Sequence, residues 1–345
     1  MKAVILAGGS GTRLWPLSTQ DQPKQFHKIA SDKTMIEDAI DRVSFLEKND
    51  IYLAINEKHL KLVKKLCPTI PDKNIIIEPA MRDTASCIGL AAAIIAKRHP
   101  NEVMAIIYAD HIIENKKEFQ KSLKIAEKLA IKENTLNIIE VPAIEPNTGY
   151  GYVKTKGLNK KIDQVEIYNL DKFVEKPTLE KAKQFVKSKK YLWNTGLYVW
   201  KASTLIEHYK KLLPDTYKKF EKMMNKYDTK DQKKTLNSIY PTLEKISIDY
   251  AIMEKVNPKE IRIIKTKNLK WSDVGTWETV WEFVSKKTGK NSISLDCKNS
   301  IIYSETGRKI ISIGLENMIV IETKTGILVC KKEDAKRIKE LQSKL

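Results

Sequence analysis

The amino-acid sequence predicts an α/β protein with a Rossmann-like, mixed and mostly parallel sheet flanked by helices, followed by a small C-terminal β-helical domain. Strands and helices alternate over the first half, a glycine-rich loop follows the first strand, and short apolar strands recur near the C-terminus. Alternation at this spacing is typical of βαβ units, which build parallel sheets. Ligands of such sheets bind beyond the carboxyl ends of the strands.

The first half of the chain carries the apolar runs and periodic segments of this fold. Short runs without polar residues predict buried strands at Ala3–Ala7, Ile51–Ile55, Ile75–Ile77, Val103–Ala109 and Leu136–Val141. Apolar residues recurring every three or four positions predict helices at Met35–Leu46, Lys58–Leu66, Thr84–Arg98 and Lys117–Lys132.

The pattern changes in the second half. From Gly149 strands are joined by loops, and a lysine-rich helical insert is predicted at about 204–237. The segments "NSIIYS", "KIISI", "NMIVIET" and "GILVCKK" lie nine or ten residues apart and predict stacked β rungs, closed by a helix from Glu333 to Leu345. The domain boundary is expected near Lys287–Lys290, between a catalytic domain of residues 1–287 and a β-helix-like domain of residues 288–345.

The formal net charge of +19 raises the question of nucleic-acid binding. Lysines greatly outnumber arginines and alternate with glutamates along helices such as "KEFQKSLKIAEKLAIKEN", a pattern of solvated helix faces. We therefore expect no nucleic-acid partner. An RNA-binding module remains the alternative, and binding that falls steeply with salt would reveal it.

Cysteine usage and hydropathy indicate the compartment. The four cysteines lie far apart without a C-x-x-C pair, as expected of reduced thiols. The sequence has no run of 18 apolar residues and no signal-peptide pattern at its start. The sequence therefore predicts a cytoplasmic protein without a membrane partner.

The stretch "GGSGTRLWPLSTQDQPKQF" follows the first strand directly. Glycines bring backbone N–H groups close to a ligand, and a strand, a glycine-rich loop and a helix start together make an anion site. A tight turn without a ligand is the alternative. Neither a P-loop nor a dinucleotide fingerprint is present, but Arg13 and Lys24 add two cations. Such a set suits a nucleoside triphosphate whose pyrophosphate must leave.

This stretch resembles the signature of the nucleotidyltransferases that make sugar nucleotides, in their mannose-1-phosphate guanylyltransferase branch. Seven further blocks match in order: "EPAMRDTA", "YADHII", "NTGYGYV", "FVEKP", "WNTGLYVW", "SIDYAIMEK" and "WSDVGTW". The resemblance implies the nucleotide-diphospho-sugar transferase fold. It also implies the reaction of GTP with mannose 1-phosphate to give GDP-mannose and pyrophosphate.

Two approaching polyanions require a divalent cation, and Mg²⁺ prefers carboxylate and phosphate oxygens. The resemblance implies Asp110, at the end of a core strand, and Asp273, in "WSDVG", as its ligands. From the sequence alone, Asp110 could instead cap the following helix. His111 has no partner at metal-ligand spacing, so we interpret it as structural or as a neighbour of the site.

The same resemblance implies the nucleotide-binding residues. Arg13 and Lys24 are the expected catalytic cations. Glu78 is the hypothesised reader of guanine, because a carboxylate can accept from both N1–H and the exocyclic amine; the alternative is a solvated strand end. The full nucleotide set comprises Ala7, Gly8, Gly9, Gly11, Thr12, Arg13, Glu78 and Arg82.

The sugar phosphate is expected to contact a third group of residues. Carboxylate and amide side chains discriminate hydroxyls strongly, because a missing partner leaves a buried polar group unpaired. The resemblance assigns this part to Asp110, Gly149, Glu175, Lys176 and Asn194. A strand end followed by a turn, for Glu175-Lys176-Pro177, and a turn residue, for Asn194, are the alternatives.

The resemblance further implies a homodimer through the C-terminal rungs. Because the sequence ends at Leu345, we expect no isomerase activity of the kind found in longer fused relatives. Two functional alternatives remain open: a nucleotidyltransferase for another nucleoside triphosphate or another hexose 1-phosphate, and a nucleotide-binding regulatory homologue without chemistry.

Overall fold

The structure, a computed structural model, describes residues 1–9, 11–285 and 292–344. The chain forms two compact units. The first comprises Met1–Gly8, Ala39–Tyr108 and Ile113–Trp271, and the second comprises Gly9–Asp38, Ala109–Ile112 and Ser272–Leu345. The domain boundary predicted near residues 287–290 lies outside the described residues.

The described α-helices include all the predicted periodic segments, although α1 ends four residues before its predicted end, and they add α5 and α9, which were not predicted. They are α1 (Met35–Arg42), α2 (Leu60–Leu66), α3 (Asp83–Arg98), α4 (Lys116–Glu133), α5 (Leu179–Ser188), α6 (Ala202–Leu212), α7 (Pro214–Met224), α8 (Gln232–Ile239) and α9 (Trp277–Val284). The lysine-rich insert is thus helical, as predicted, and consists of α6, α7 and α8.

The strands begin and end within two residues of the predicted ones in the first half. They are β1 (Lys2–Leu6), β2 (Ile51–Asn56), β3 (Ile75–Glu78), β4 (Val103–Tyr108), β5 (Ile112–Ile113), β6 (Leu136–Pro142), β7 (Gly151–Ile162), β8 (Val165–Val174), β9 (Tyr191–Lys201), β10 (Ile261–Lys265), β11 (Trp271–Ser272), β12 (Ser292–Leu295), β13 (Ile301–Ser304), β14 (Ile310–Ile313), β15 (Met318–Glu322) and β16 (Ile327–Lys331).

The first unit is built on a mixed sheet. In the described part of the chain this sheet has nine strands in the order β3-β2-β1-β4-β9-β6-β10-β8-β7. Strands β3, β2, β1 and β4 pair in parallel, as does β6 with β10. Strand β9 pairs antiparallel with β4, β6 and β7, and β8 pairs antiparallel with β7 and with the other edge of β10. The predicted mixed α/β fold is confirmed, and its parallel part is concentrated in the strands that precede the candidate site residues.

The core of the first unit explains why these segments fold. Helix α3 buries an unbroken run from Ala85 to Ile95, and Trp200, Tyr209 and Phe220 are almost fully buried beside it. Burial of apolar surface contributes about 25 cal/mol per Å², so this cluster dominates the stability of the unit. The strand ends that emerge from such a core are held rigidly.

The second unit carries the C-terminal strands. Strands β12 and β14 pair in parallel, and so do β13 and β15, each pair with its partners 18 residues apart, as in Ser292 with Ile310 and Ile301 with Ile319. Each strand therefore pairs with the next strand but one, because one turn of the β-helix contains two strands. Strand β16 turns back and pairs antiparallel with β15.

The second unit has a continuous apolar core of its own. Leu14 and Leu17 from the first loop pack with Trp277 of α9 and with Ile319 and Ile321 of β15. The indole Nε1 of Trp277 donates to the carbonyl of Trp15 at 3.2 Å. The first loop and the C-terminal strands are therefore parts of one packed unit.

The C-terminal segment differs from its prediction. Residues Lys332–Lys344 form a 3₁₀ helix rather than an α-helix, and Leu345 lies outside the described residues. This segment is strongly polar, with acidic residues in its first turn. It therefore has few apolar contacts that would favour an α-helix over a 3₁₀ helix. Throughout the described part of the chain, every helix is too short or too polar to cross a bilayer.

Candidate functional site

The carboxyl ends of β1, β2 and β3 carry the first group of predicted residues, all in the first unit. Ala7 extends the parallel ladder by donating its N–H to the carbonyl of Ala54 at 2.8 Å. Glu78 ends β3 opposite Asn56. Gly8 approaches it so closely that a Cβ on Gly8 would lie 2.9 Å from Glu78 Oε1. The structure therefore brings Ala7, Gly8 and Glu78 together at one edge of the sheet.

The Glu78 carboxyl is buried, with 7% of the residue exposed. The hydroxyl of Tyr240 donates to Oε2 at 2.5 Å, and the Cys87 side chain is a further hydrogen-bond partner. Burial raises the pKa of Glu78, while these two hydrogen bonds oppose the rise. Glu78 is thus not the solvated strand end that was the alternative, but a side chain whose orientation is set by neighbours.

Tyr240 and Cys87 were missed by the sequence prediction. Tyr240 lies 162 residues from Glu78 along the chain, in a short 3₁₀ turn, and no local pattern connects the two. Arg82 is half-buried at the N-terminus of α3, and its Nε has no hydrogen-bond partner within the described residues.

A second group lies on β7, β8 and β9, also in the first unit. Gly151 of β7 pairs with Asn194 of β9. A Cβ on Gly151 would lie 2.4 Å from Glu175 Oε2 and 3.2 Å from Asn194 Cβ, so only glycine allows these side chains to meet here. The structure therefore brings Glu175 and Asn194 together, as predicted, across a glycine that the prediction did not include.

Lys176 and Gly149 complete this group. The Lys176 ammonium pairs with Glu175 Oε1. Burial alone would lower the pKa of Lys176, but the Glu175 carboxylate raises it, so the side chain stays charged. The N–H of Gly149 already donates to Asn147 Oδ1 at 2.8 Å. A sugar hydroxyl would have to replace Asn147 as the acceptor.

The first loop belongs to the second unit. Gly11 has φ +59°, and a Cβ there would lie 2.8 Å from the backbone nitrogen of Lys24, so the turn requires glycine. Gln25 Nε2 donates to the carbonyl of Gly9 at 3.0 Å. Thr12 begins a 3₁₀ turn, Thr12–Leu14, and Arg13 in the same turn is exposed. The turn thus presents the Arg13 guanidinium to solvent.

Lys24 is the most enclosed cation of the second unit's predicted set, with 4% of the residue exposed. Its ammonium donates to the carbonyl of Asp273 at 2.6 Å and to that of Val274 at 3.2 Å, and it lies 3.1 Å from Asp110 Oδ2. Lys24 therefore joins the chain segments of the two predicted metal ligands through three oxygen contacts. The sequence prediction had assigned it to phosphate alone.

Asp110 and Asp273 are both only half-buried. Asp110 has 32% of its side chain exposed. Although burial alone would raise the pKa of the Asp110 carboxyl, the Lys24 ammonium and His111 lower it below its usual range. Asp273 Oδ1 accepts the N–H of Gly275 at 3.1 Å, in a turn where Val274 has φ +48°. A β-branched residue in this region is strained, a feature often found at functional sites.

Family comparisons give the class of the protein. A family model described as "Nucleotidyl transferase" matches residues 2–290, and one described as "MannoseP isomerase/GMP-like beta-helix domain" matches residues 290–345. Because the first match covers most of the chain, the protein belongs to the nucleotidyl transferase family of enzymes. Its fold, with a C-terminal β-helix-like domain, agrees with both matches.

Individual relatives show which members of the family this chain resembles. The chain is 33% identical to mannose-1-phosphate guanylyltransferase of Escherichia coli over 98% of this chain and 74% of that protein. It is 34% identical to mannose-1-phosphate guanylyltransferase 2 of Escherichia coli O157:H7 over 98% of this chain and 72% of that protein. The resemblance stated from the sequence motifs is confirmed.

A solved structure supports the same likeness. The crystal structure described as mannose-1-phosphate geranyltransferase from Thermus thermophilus matches with a TM-score of 0.82 and 26% identity, over 99% of this chain and 98% of that chain. The match with this crystal structure includes the C-terminal strands as well as the large sheet.

Proposed function

We propose that this protein transfers GMP from GTP to α-D-mannose 1-phosphate, giving GDP-mannose and pyrophosphate, with Mg²⁺ as cofactor. The observation that carries the proposal is the buried Lys24 ammonium, which joins the Asp110 carboxylate to the carbonyls of Asp273 and Val274. The names of the curated relatives support the choice of substrates.

The reaction is an in-line displacement at phosphorus. A phosphate oxygen of mannose 1-phosphate attacks the α-phosphorus of GTP and forms the new P–O bond. The bond from the α-phosphorus to the bridging oxygen breaks, and its electron pair leaves with pyrophosphate. Because the attacking phosphate is already ionised at neutral pH, the protein supplies no nucleophile, only position and charge.

Asp110 and Asp273 would hold Mg²⁺. Both are hard oxygen donors, and the lowered pKa of Asp110 keeps it ionised. The described residues contain no group of three or more His, Cys, Asp or Glu side chains that could hold a metal ion. Two protein carboxylates with water and substrate phosphates are a common Mg²⁺ environment, so the residues fit this ion. When bound, Mg²⁺ supplies positive charge to the reacting phosphates.

The loop residues bind the triphosphate. The backbone N–H groups of Gly8, Gly9, Gly11 and Thr12 would donate to phosphate oxygens. The N–H of Ala7 is used by the sheet, so Ala7 would contact the nucleotide through its other atoms. The exposed Arg13 guanidinium would neutralise the leaving pyrophosphate, which suits a planar fork of donors. Lys24 would hold the Asp110 carboxylate and the backbone of Asp273 in place and add charge at the reacting phosphates.

The first unit supplies the groups that select the base and the sugar. Glu78 would accept from guanine N1–H and the exocyclic amine, with Tyr240 fixing its orientation, and Arg82 would bind a phosphate. Glu175 and Asn194 would hydrogen-bond the mannose hydroxyls, together with the Gly149 backbone. Lys176 would bind the sugar phosphate, and Asp110 would contribute to the same substrate as a ligand of Mg²⁺.

A homodimer through the C-terminal strands is part of the proposal. Ile293, Leu295, Ile311 and Ile313 of the paired strands β12 and β14 are each more than half exposed. Because alternate residues of a strand face the same side, these four side chains form one apolar face. Contiguous apolar faces of this kind are typical of subunit contacts.

Removal of either carboxylate tests the metal and the reaction together. We expect Asp110→Asn and Asp273→Asn each to lower kcat at least about 100-fold, the scale of a lost electrostatic group in a transition state. GDP-mannose formation is measured by mass spectrometry at saturating GTP and Mg²⁺. Asp334→Asn, in an exposed pair with Arg337, is the matched control and should keep wild-type activity. Full activity of both site variants would contradict the proposal.

A further inference from the structure

Asn194 is held by two side chains that the proposed function does not use. Its Nδ2 donates to Asp249 Oδ1 at 2.8 Å. The Tyr198 hydroxyl donates to the same Asp249 oxygen at 2.6 Å. Asp249 begins a π-helical turn, Asp249–Met253, that follows Asn194 by 55 residues. All of these residues belong to the first unit.

These contacts determine which way the Asn194 amide points. An ionised carboxylate accepts only, so the amide edge that faces Asp249 must be the NH₂ edge. On the opposite edge, Asn194 Oδ1 accepts the N–H of Gly196 at 3.1 Å. Rotation of the amide by 180° would place oxygen against carboxylate oxygen and NH₂ against N–H. Each of these two new contacts would replace a hydrogen bond with electrostatic repulsion.

The backbone that follows Asn194 is already fixed by other groups. Glu140 is fully buried, and its Oε2 accepts the N–H of Thr195 at 2.7 Å. The Thr195 hydroxyl donates to the carbonyl of Ile139 at 2.6 Å. Gly196 has φ +73° and packs on the ring of Tyr108, where a Cβ would lie 2.6 Å from a ring carbon. The remaining freedom at this position is the rotation of the amide itself.

We propose that Asp249 is a positioning residue that fixes the Asn194 amide and thereby determines which hexose 1-phosphate the enzyme accepts. The inference rests on the proposed function, since it assumes that Asn194 contacts the hexose. A fixed amide holds two groups in set places: its NH₂ group, which also lies 3.3 Å from the Tyr198 hydroxyl, and the Oδ1 lone pair that the Gly196 N–H does not use. A hexose whose hydroxyl has the opposite configuration leaves one of these groups unpaired, which is a strong basis for discrimination.

The test compares Asp249→Asn with the wild-type enzyme. An asparagine can donate as well as accept, so it no longer dictates the orientation of Asn194, while shape and volume are kept. Initial rates are measured with GTP and Mg²⁺ against mannose 1-phosphate and against its C2 epimer, glucose 1-phosphate. We expect KM for mannose 1-phosphate to rise about tenfold, which is the effect of losing one hydrogen bond to the substrate. The preference for mannose should fall by a similar factor, with KM for GTP and kcat nearly unchanged.

Two further variants separate positioning from charge and from stability. Glu254→Gln removes a neighbouring charge that interacts with both Asp249 and Glu175 but forms no hydrogen bond with Asn194 among the described contacts, so we expect wild-type kinetics. Tyr198→Phe keeps Asp249 as an acceptor for Asn194 and should raise KM only about twofold to threefold. Thermal unfolding of each variant shows whether it is folded. An unchanged mannose preference in folded Asp249→Asn would overturn the inference.

The proposed function and the inference can fail separately. If the wild-type enzyme turns over GTP with mannose 1-phosphate, the kinetics above decide the inference alone. If it does not, the proposed function fails, and calorimetric titration of mannose 1-phosphate into both proteins takes over. A Kd about tenfold higher for Asp249→Asn supports the inference, whereas equal Kd values, or no binding to the wild type, overturn it.

Discussion

Lys24 illustrates how one residue serves both folding and chemistry. A buried ammonium is costly unless its hydrogens find acceptors, and here two carbonyls and a carboxylate provide them. In return, the ammonium joins the Asp110 carboxylate to the chain segment that carries Asp273, through the backbone carbonyls of Asp273 and Val274. The same charge that stabilises the second unit thus arranges its acidic groups.

Substitution of Lys24 should therefore reduce stability as well as activity. We expect Lys24→Met to lower the free energy of unfolding by about 2 kcal/mol at pH 7, because it leaves Asp110 without its cation. The loss should be smaller at pH 3, because the stability that comes from the lowered pKa of Asp110 is present above its unfolded-state pKa and is lost as pH falls towards and through the folded-state pKa. Urea unfolding at both pH values measures it. Lys64→Met breaks the exposed pair with Asp72 and should cost less than about 1 kcal/mol.

Equal losses of unfolding free energy in Lys24→Met and Lys64→Met would mean that the enclosed position of Lys24 adds nothing to the stability of the protein. Loss of the same size at pH 3 and pH 7 would mean that Asp110 is not the partner that matters.

Single residues also show where sequence-based prediction ends. Asp110, Asp273, Glu175 and Asn194 stand in recognisable motifs, and the structure places them in the expected groups. Tyr240 and Asp249 act on Glu78 and Asn194 across 162 and 55 residues of chain. Contacts of this kind depend on how helices and strands pack, and no spacing along the sequence announces them.

Among the elements, β6 and β9 together bury a carboxyl group in the sheet. Glu140 is fully buried, and within the described residues its Oε1 has no hydrogen-bond partner. Burial raises the pKa of Glu140 well above its ordinary value, and Asp249 adds to the rise. The strand is therefore more compatible with a neutral side chain at this position than with a carboxylate.

The stability contributed by Glu140 should depend on pH. Because its folded-state pKa lies above the unfolded value, this contribution is fully present below about pH 4.5 and is lost as pH rises through the folded-state pKa. Glu140→Gln keeps the shape without the charge. We expect the stability of the variant relative to wild type to increase with pH, by about 1 kcal/mol at pH 9. Urea unfolding at pH 5, 7 and 9 measures the difference.

A constant difference between Glu140→Gln and wild type over this range would contradict the assignment. It would mean that Glu140 has the same pKa in the folded and the unfolded chain.

Elements differed in how well their sequences predicted them. Strands β1 to β4 and helices α3 and α4 were predicted closely, because buried parallel strands and long amphipathic helices have clear apolar patterns. The antiparallel pairing of β7, β8 and β9, with its irregular register, was not predicted. These strands are partly exposed and joined by long-range pairing, so their partners depend on the whole sheet.

In the whole molecule, the described C-terminal strands form two sheets with different tasks. The sheet of β13, β15 and β16 contributes Ile301, Ile319 and Ile321 to the core that the first loop shares. The sheet of β12 and β14 presents an apolar face to solvent, with Ile311 and Ile313 70% and 65% exposed. Folding of the second unit uses the first sheet, and we propose that assembly uses the second.

The proposed homodimer should disappear when this apolar face is charged. We expect the wild type to sediment as a dimer at micromolar concentration and Ile311→Lys/Ile313→Lys as a folded monomer, since exposed side chains cost little on substitution. Ile131→Lys, at a 57% exposed position of α4, is the control and should remain dimeric. A monomeric wild type, or a dimeric double variant, would contradict the proposed contact.

The proposed transfer of GMP to mannose 1-phosphate can be measured as pyrophosphate release from the purified protein. The assay uses mannose 1-phosphate with each of four nucleoside triphosphates, with and without Mg²⁺. We predict release with GTP that vanishes on chelation and much slower release with the other three. Release with a different nucleotide would keep the displacement mechanism but contradict the role of Glu78. No release with any of the four, despite tight GTP binding, would contradict the proposed enzyme and favour a regulatory homologue or a different hexose.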